Sequence, residues 1–175
     1  MTSRYTLGFR WVHWIMALVI LTMLAFGQKF AGEMTVADRT FSLGAHASLG
    51  VLVVMFLLTR IVLRLTGRSG RPNHAIAPWQ SLASKTVQAG IYLCLIFVPV
   101  TGILTARAHE LPVQPFGMAS ISTSDPAFYD MIRPLHDYGT KALMLLLALH
   151  IGAALMHRFV LRDGVMASMS LLRQK

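Results

Sequence analysis

The chain has 175 residues, 55% of them hydrophobic and only 13% charged, with a mean hydropathy of +0.58. That balance excludes an ordinary soluble domain, and a single cysteine, Cys94, excludes a disulfide framework or a cysteine-based metal site. A net charge of +9 would suit a nucleic-acid ligand in a soluble protein, but here the basic residues lie between long apolar runs; no nucleic-acid partner is expected and the charge reads as membrane topology.

A helix needs about 20 mostly apolar residues to cross the hydrocarbon. The first such run, Trp11 to Phe30, follows Arg4 and Arg10; it is too long for a signal peptide, lacks a small-residue cleavage site and is expected to stay attached. The second is Phe41 to Leu65. An inner loop from Thr66 to Pro78, rich in Gly, Arg and Pro, is expected to be irregular. The third run is Val87 to Ala106, where Pro99 with Gly102 predicts a kink. The longest loop, Arg107 to Arg133, is expected to form a compact cap with a short helix from Asp125 to Ile132, and the fourth run is Leu135 to Leu161. None of these runs alternates with period two, and lipid demands that each spanning amide be satisfied within its own segment. The expected fold is therefore an all-α membrane protein, a four-transmembrane-helix bundle in one domain over 1–175, with the lipid bilayer as its solvent.

Lysine and arginine counts predict the orientation. The N-terminus, the second loop and the C-terminal tail carry Arg4, Arg10, Arg60, Arg64, Arg68, Arg71, Lys85, Arg158, Arg162, Arg173 and Lys175. The other segments hold Lys29, Arg39, Arg107, Arg133 and Lys141 with six of the seven acids. The more basic side belongs in the cytoplasm, so both termini are expected inside, in a bacterial inner membrane.

Ionisable side chains inside spans are costly and usually mark function. Four histidines stand there: His13 near the inner end of helix 1, His46 near the outer end of helix 2, and His136 and His150 on helix 4. His136 and His150 are 14 residues apart, so they share a face at levels about 21 Å apart. By depth, His46 can meet His136 near the outer surface and His13 can meet His150 in the lower half. Two imidazoles from different helices are what a six-coordinate haem iron needs, which predicts two b haems. Hydrogen bonding between helices would explain one such histidine, but not four paired by depth. Zinc would be left with an incomplete shell.

Small residues flank these positions: Gly50, Gly139 and Ala17 each lie about one turn from a histidine, and Gly27 would bring helix 1 close to the outer haem. Arg60, 14 residues after His46, and Arg64 are placed to pair with propionates of the inner haem, as are Arg133 and Lys141 for the outer one. His157, seven residues beyond His150, would put the irons about 31 Å apart and in the headgroups, so another role is expected for it. His74 and His109 read as solvated loop residues.

The chain resembles the prokaryotic cytochrome b561 family over nearly its whole length. The likeness rests on an HW pair (His13, Trp14), H-x3-G followed by R-x3-R (His46, Gly50, Arg60, Arg64), P-x2-G (Pro99, Gly102), and H-x13-H-x2-AAL-x-H ending in RDG (His136, His150, Ala153, Ala154, His157, Arg162, Asp163, Gly164). The resemblance implies two bis-histidine b haems, His13 with His150 and His46 with His136. It further implies a superoxide oxidase that takes electrons at the periplasmic haem and reduces ubiquinone, with His157, Arg71 and Trp79 in a quinone-site neighbourhood. Superoxide entry is expected near Arg107, His109, Arg133 or Lys141. Other family members imply the alternative of an electron-transfer subunit or partner of a dehydrogenase or periplasmic redox protein. A haem-free four-helix scaffold is a third reading, which a colourless protein would favour.

Overall fold

The computed structural model describes residues 4–70, 72 and 76–172, and within them all regular structure is helical. Helix α1 spans Leu7–Gln28 and runs into a 3-10 turn, Lys29–Ala31; α2 spans Val36–Leu65, α3 Pro78–Ala108 and α4 Pro126–Met156. A π-helical turn, His157–Leu161, ends α4. Arg71, His74, Arg173 and Lys175, which entered the sequence reading, lie outside the described residues.

The helices start well before their apolar runs do, because caps and not hydropathy set their ends. The Thr35 side chain accepts the Asp38 amide at 3.1 Å, and Asp125 accepts that of Phe128 at 3.0 Å with Pro126 in the first turn. Pro78 opens α3, where Gln80 Oε1 accepts the Ala77 amide at 3.1 Å. So α3 begins at Pro78 and not Val87, and α4 at Pro126 and not Leu135. The separate short helix expected from Asp125 to Ile132 is instead the first two turns of α4, which continues through Pro134. The missing amide there costs one rung of the ladder, and the capped turns before it keep the helix going. Pro99 likewise lies inside an unbroken α3. At about 1.5 Å per residue, α3 and α4 outreach a hydrocarbon layer of about 30 Å, so their ends project beyond it.

Met16 and Ile20 of α1, Val53 and Leu57 of α2, Leu95 of α3 and Leu143 of α4 form the core. Leu18, Leu58, Leu93 and Leu145 on the same helices are exposed. Apolar side chains thus face both inward and outward on four helices long and apolar enough to cross a membrane, which is how a bundle meets lipid. Helices α3 and α4 pack intimately, and a Cβ added at Gly139 would stand 2.8 Å from Phe97 Cδ1.

Each end of the bundle carries a polar layer. At the end with the termini, Thr6 donates its amide to Ser69 at 3.0 Å and its hydroxyl to Arg68 at 2.9 Å. The Tyr5 amide bonds Ser168 O at 3.2 Å, Trp14 Nε1 bonds Met169 O at 2.8 Å, and Arg10 reaches Ser170 O. At the other end the long loop is a compact cap: Phe116 donates its amide to Ser48 Oγ at 2.7 Å, Thr123 to Arg107 O at 2.7 Å and Asp125 to Ala108 O at 3.0 Å. Gly44 admits the cap, since a Cβ there would stand 2.9 Å from Gln114 O.

Candidate functional site

The four intramembrane histidines form two facing pairs. His13 of α1 and His150 of α4 have ring centres 6.3 Å apart with planes at 74°; His46 of α2 and His136 of α4 have centres 6.4 Å apart at 79°. A ring nitrogen stands about 2 Å from a metal it binds and about 1.1 Å from its own ring centre, so two imidazoles on opposite sides of one ion have centres about 6.2 Å apart. Both pairs fit that separation. No group of three or more His, Cys, Asp or Glu side chains is gathered for a metal among the described residues, so the donor set suits a metal whose remaining ligands come from elsewhere, as they do in haem.

The imidazoles are held differently at their second nitrogens. His136 Nδ1 lies 3.0 Å from Val98 O; a carbonyl can only accept, so Nδ1 carries the proton and Nε2 is left with a lone pair. Thr101 Oγ1 stands 3.3 Å from the same nitrogen. His46 packs edge-on against Phe30 at 5.7 Å, and its buried Nδ1 has no hydrogen-bond partner among the described residues.

Arg60 lies near His13: it is 9% exposed and packs on Phe9, one turn before that histidine. Its guanidinium lies 4.5 Å over the ring of Phe9, itself fully buried, and Nε meets Tyr92 Oη at 3.4 Å. Nη1 is buried with no partner among the described residues, an unmet donor that an anionic group would satisfy. Arg64 is engaged by Gln88 Oε1 at 3.4 Å and lies over Tyr92 at 5.5 Å. At the other pair, Arg133 holds Asp137 at 3.0 Å, and Lys141 stands 5.6 Å over Tyr138. Phe9 and Tyr92 escaped sequence reasoning, although Phe9, one turn before His13, carried a signal.

The small residues divide. Gly27 has open space where a Cβ would go, while a Cβ at Gly50 would meet Met23 of α1 at 3.7 Å. Gly139, one turn from His136, turns its bare face to Phe97 of α3. Spacing along α4 cannot tell which of two neighbours that face meets. Cys94 is a half-buried free thiol in an apolar groove between α3 and α4.

His13 faces His150, and His157 lies in a different setting. Its buried ring turns Nδ1 to Asp163 Oδ2, within the π-helical turn and the Arg162 left-handed residue (φ 52°) that redirect the chain. Burial works to raise the Asp163 carboxyl, but the Val165 amide and His157 outweigh it and hold the group below the usual range. A cleft of about 340 Å³ opens beside this pair, lined by His157, Arg158, Phe159, Arg162, Gly164, Met166 and Ala167. Trp79, 66% exposed at the start of α3, is not among its walls.

His109 is not a solvated loop residue. It is buried, closes α3, accepts the Leu111 amide on Nδ1 at 2.9 Å and meets Tyr129 edge-on at 5.4 Å. Cap packing, invisible in a polar loop sequence, covers it. Arg107 remains exposed.

A sequence profile described as prokaryotic cytochrome b561 matches residues 4–170. The chain belongs to this family. It is 25% identical over 162 residues, 90% of this chain and 86% of the relative, to cytochrome b561 homolog 2 of Escherichia coli. It is 22% identical to cytochrome b561 homolog 1 of the same organism, covering 91% and 92%. It is 24% identical to a probable superoxide oxidase of Yersinia pestis, covering 90% of each chain. The protein is thus a multi-pass membrane electron-transfer protein of a family that binds haem b.

Proposed function

We propose that this cytochrome b561 is a superoxide:ubiquinone oxidoreductase carrying two haems b, one between His13 and His150 and one between His46 and His136, in one domain over residues 1–175. The observation that carries the reading is the pair of facing imidazole couples, each at the separation two nitrogens on one iron require. The Yersinia pestis relative named a probable superoxide oxidase supports the choice of substrate. Positive-inside asymmetry supports a bacterial inner membrane with both termini cytoplasmic, so that His46 and His136 form the periplasmic, outer pair.

Bound haem, held by two histidines on each iron, would supply one-electron transfer and not oxygen chemistry at the metal. The chain's own residues do the rest. Arg60 offers its unmet Nη1 to an inner propionate, with Arg64 beside it, and Arg133 and Lys141 are the outer candidates. Arg107 and Lys141, with Arg133 paired to Asp137, would offer local positive charge where superoxide arrives; His109 packs inside the cap. The balance is two superoxide anions leaving as dioxygen, with ubiquinone gaining two electrons and two protons to become quinol. His157 and Asp163, beside their cleft, would hold a proton and pass it to the quinone.

The test is stopped-flow reduction of the purified protein by superoxide, with quinol formation measured at several ionic strengths. Reduction that slows as salt rises supports an anion drawn by local cations; no reaction with superoxide overturns the substrate. The second reading, an electron-transfer subunit or partner of a dehydrogenase or periplasmic redox protein, is favoured by outer segments with five basic against six acidic residues. Three of those acids are already engaged, Asp38 with the Thr35 hydroxyl, Asp125 as a helix cap and Asp137 with Arg133. Rapid exchange with a small basic cytochrome c, without superoxide reactivity, would select it.

A further inference from the structure

Helix α3 contributes none of the four paired histidines, yet it touches one of them in a specific way. His136 Nδ1 donates to Val98 O at 3.0 Å, the carbonyl just before Pro99. The ring can come so close because residue 102 has no side chain: a Cβ there would stand 3.0 Å from His136 Cε1 and 3.3 Å from Nδ1. Thr101 completes the arrangement, donating its hydroxyl to Phe97 O and Val98 O at 3.0 Å each, 3.3 Å from the histidine nitrogen. The partner imidazole, His46, has a buried Nδ1 with no such acceptor among the described residues.

We infer that Gly102 is a positioning residue whose bare backbone seats His136 on the Val98 carbonyl, and that α3 thereby sets the electron affinity of the outer haem. This rests on the proposed ligation by His136. An N–H donated to a carbonyl makes the opposite ring nitrogen a stronger base and a better ligand for the oxidised metal. Weakening that bond therefore favours the reduced form and raises the potential. A methyl at residue 102 pushes the ring from the carbonyl. Removing the Thr101 hydroxyl takes one competing donor from the Val98 carbonyl, which strengthens its bond to His136 and lowers the potential.

The experiment is a spectroscopic redox titration of purified wild type, Gly102→Ala, Thr101→Val, His136→Ala and the control Gly90→Ala. Gly90 faces α4 as closely, a Cβ standing 3.0 Å from Leu146 Cδ1, but against the flexible end of a leucine. Gly102→Ala is expected to shift the outer haem's reduction equilibrium about tenfold towards the reduced form, about 59 mV for one electron. Thr101→Val should move it the opposite way by less, with the inner haem unchanged in both. If Gly102→Ala yields no folded protein, the Thr101→Val shift decides. An unmoved outer potential, an equal shift in Gly90→Ala, or a rise in Thr101→Val overturns the inference. If His136→Ala leaves the haem content and spectrum unchanged, the ligation reading itself fails.

Discussion

His157 gives its Nδ1 to Asp163 and leaves His13 to His150, whose ring centre lies 6.3 Å away. The histidine closest to the bundle end is thus committed to a polar turn beside a cleft. His157→Ala is expected to keep full haem content and to lower quinol formation at least tenfold, with Asp163→Asn showing a smaller loss in the same direction. Haem-to-protein ratio and quinol yield measured on one preparation check this, and unimpaired quinol formation removes His157 from the quinone site.

His46→Ala and His136→Ala should each remove the outer haem and spare the inner one, and His13→Ala and His150→Ala should do the reverse. The reduced-minus-oxidised spectrum of each variant, with a pyridine haemochrome count, reads the result. Loss of the same haem from all four would refute the pairing.

Arg60 is a buried cation 4.5 Å over Phe9, one turn before His13. A fixed positive charge favours gain of an electron nearby, so Arg60→Met should lower the inner haem's potential, by about 59 mV for a tenfold change in equilibrium. The outer haem should not move. A redox titration resolving the two transitions checks both statements.

Burial holds His109 below the ordinary histidine pKa of 6.5, with Arg39 and Arg133 adding to it and Glu110 opposing it. A depressed base is neutral when the cap is closed, so closure is fully stable above about pH 6.5 and weakens as the pH falls below it. Protonation at Nδ1 would also abolish the acceptor for the Leu111 amide. Hydrogen exchange in the cap, corrected for intrinsic rates, should therefore show protection falling below pH 6.5, a dependence that His109→Gln removes.

Gly139→Ala should destabilise the bundle, since the new Cβ would lie 2.8 to 2.9 Å from two atoms of the Phe97 ring. Overpacking of this kind costs about 1–3 kcal/mol. A lower thermal midpoint in detergent is the readout, and Gly139→Ala combined with Phe97→Leu should recover most of it.

Read alone, the sequence determined that the chain is a membrane bundle of four helices, because apolar length is a local property and lipid leaves the backbone one economical solution. It also put His13 at the depth of His150 and His46 at that of His136, since depth follows from counting 1.5 Å per residue; their service as haem ligands remains the proposal. Caps at Thr35, Asp125 and Pro78 are local signals too, and they carry the helices beyond the apolar runs that hydropathy marks. What only the tertiary structure decided is how each helix is rotated against its neighbours. That rotation turned Gly139 to Phe97, Gly102 to His136 and Arg60 to Phe9 and Tyr92, and cap folding buried His109. A period of 3.6 residues selects a helix face, whereas which neighbour meets that face depends on the packing of all four helices at once.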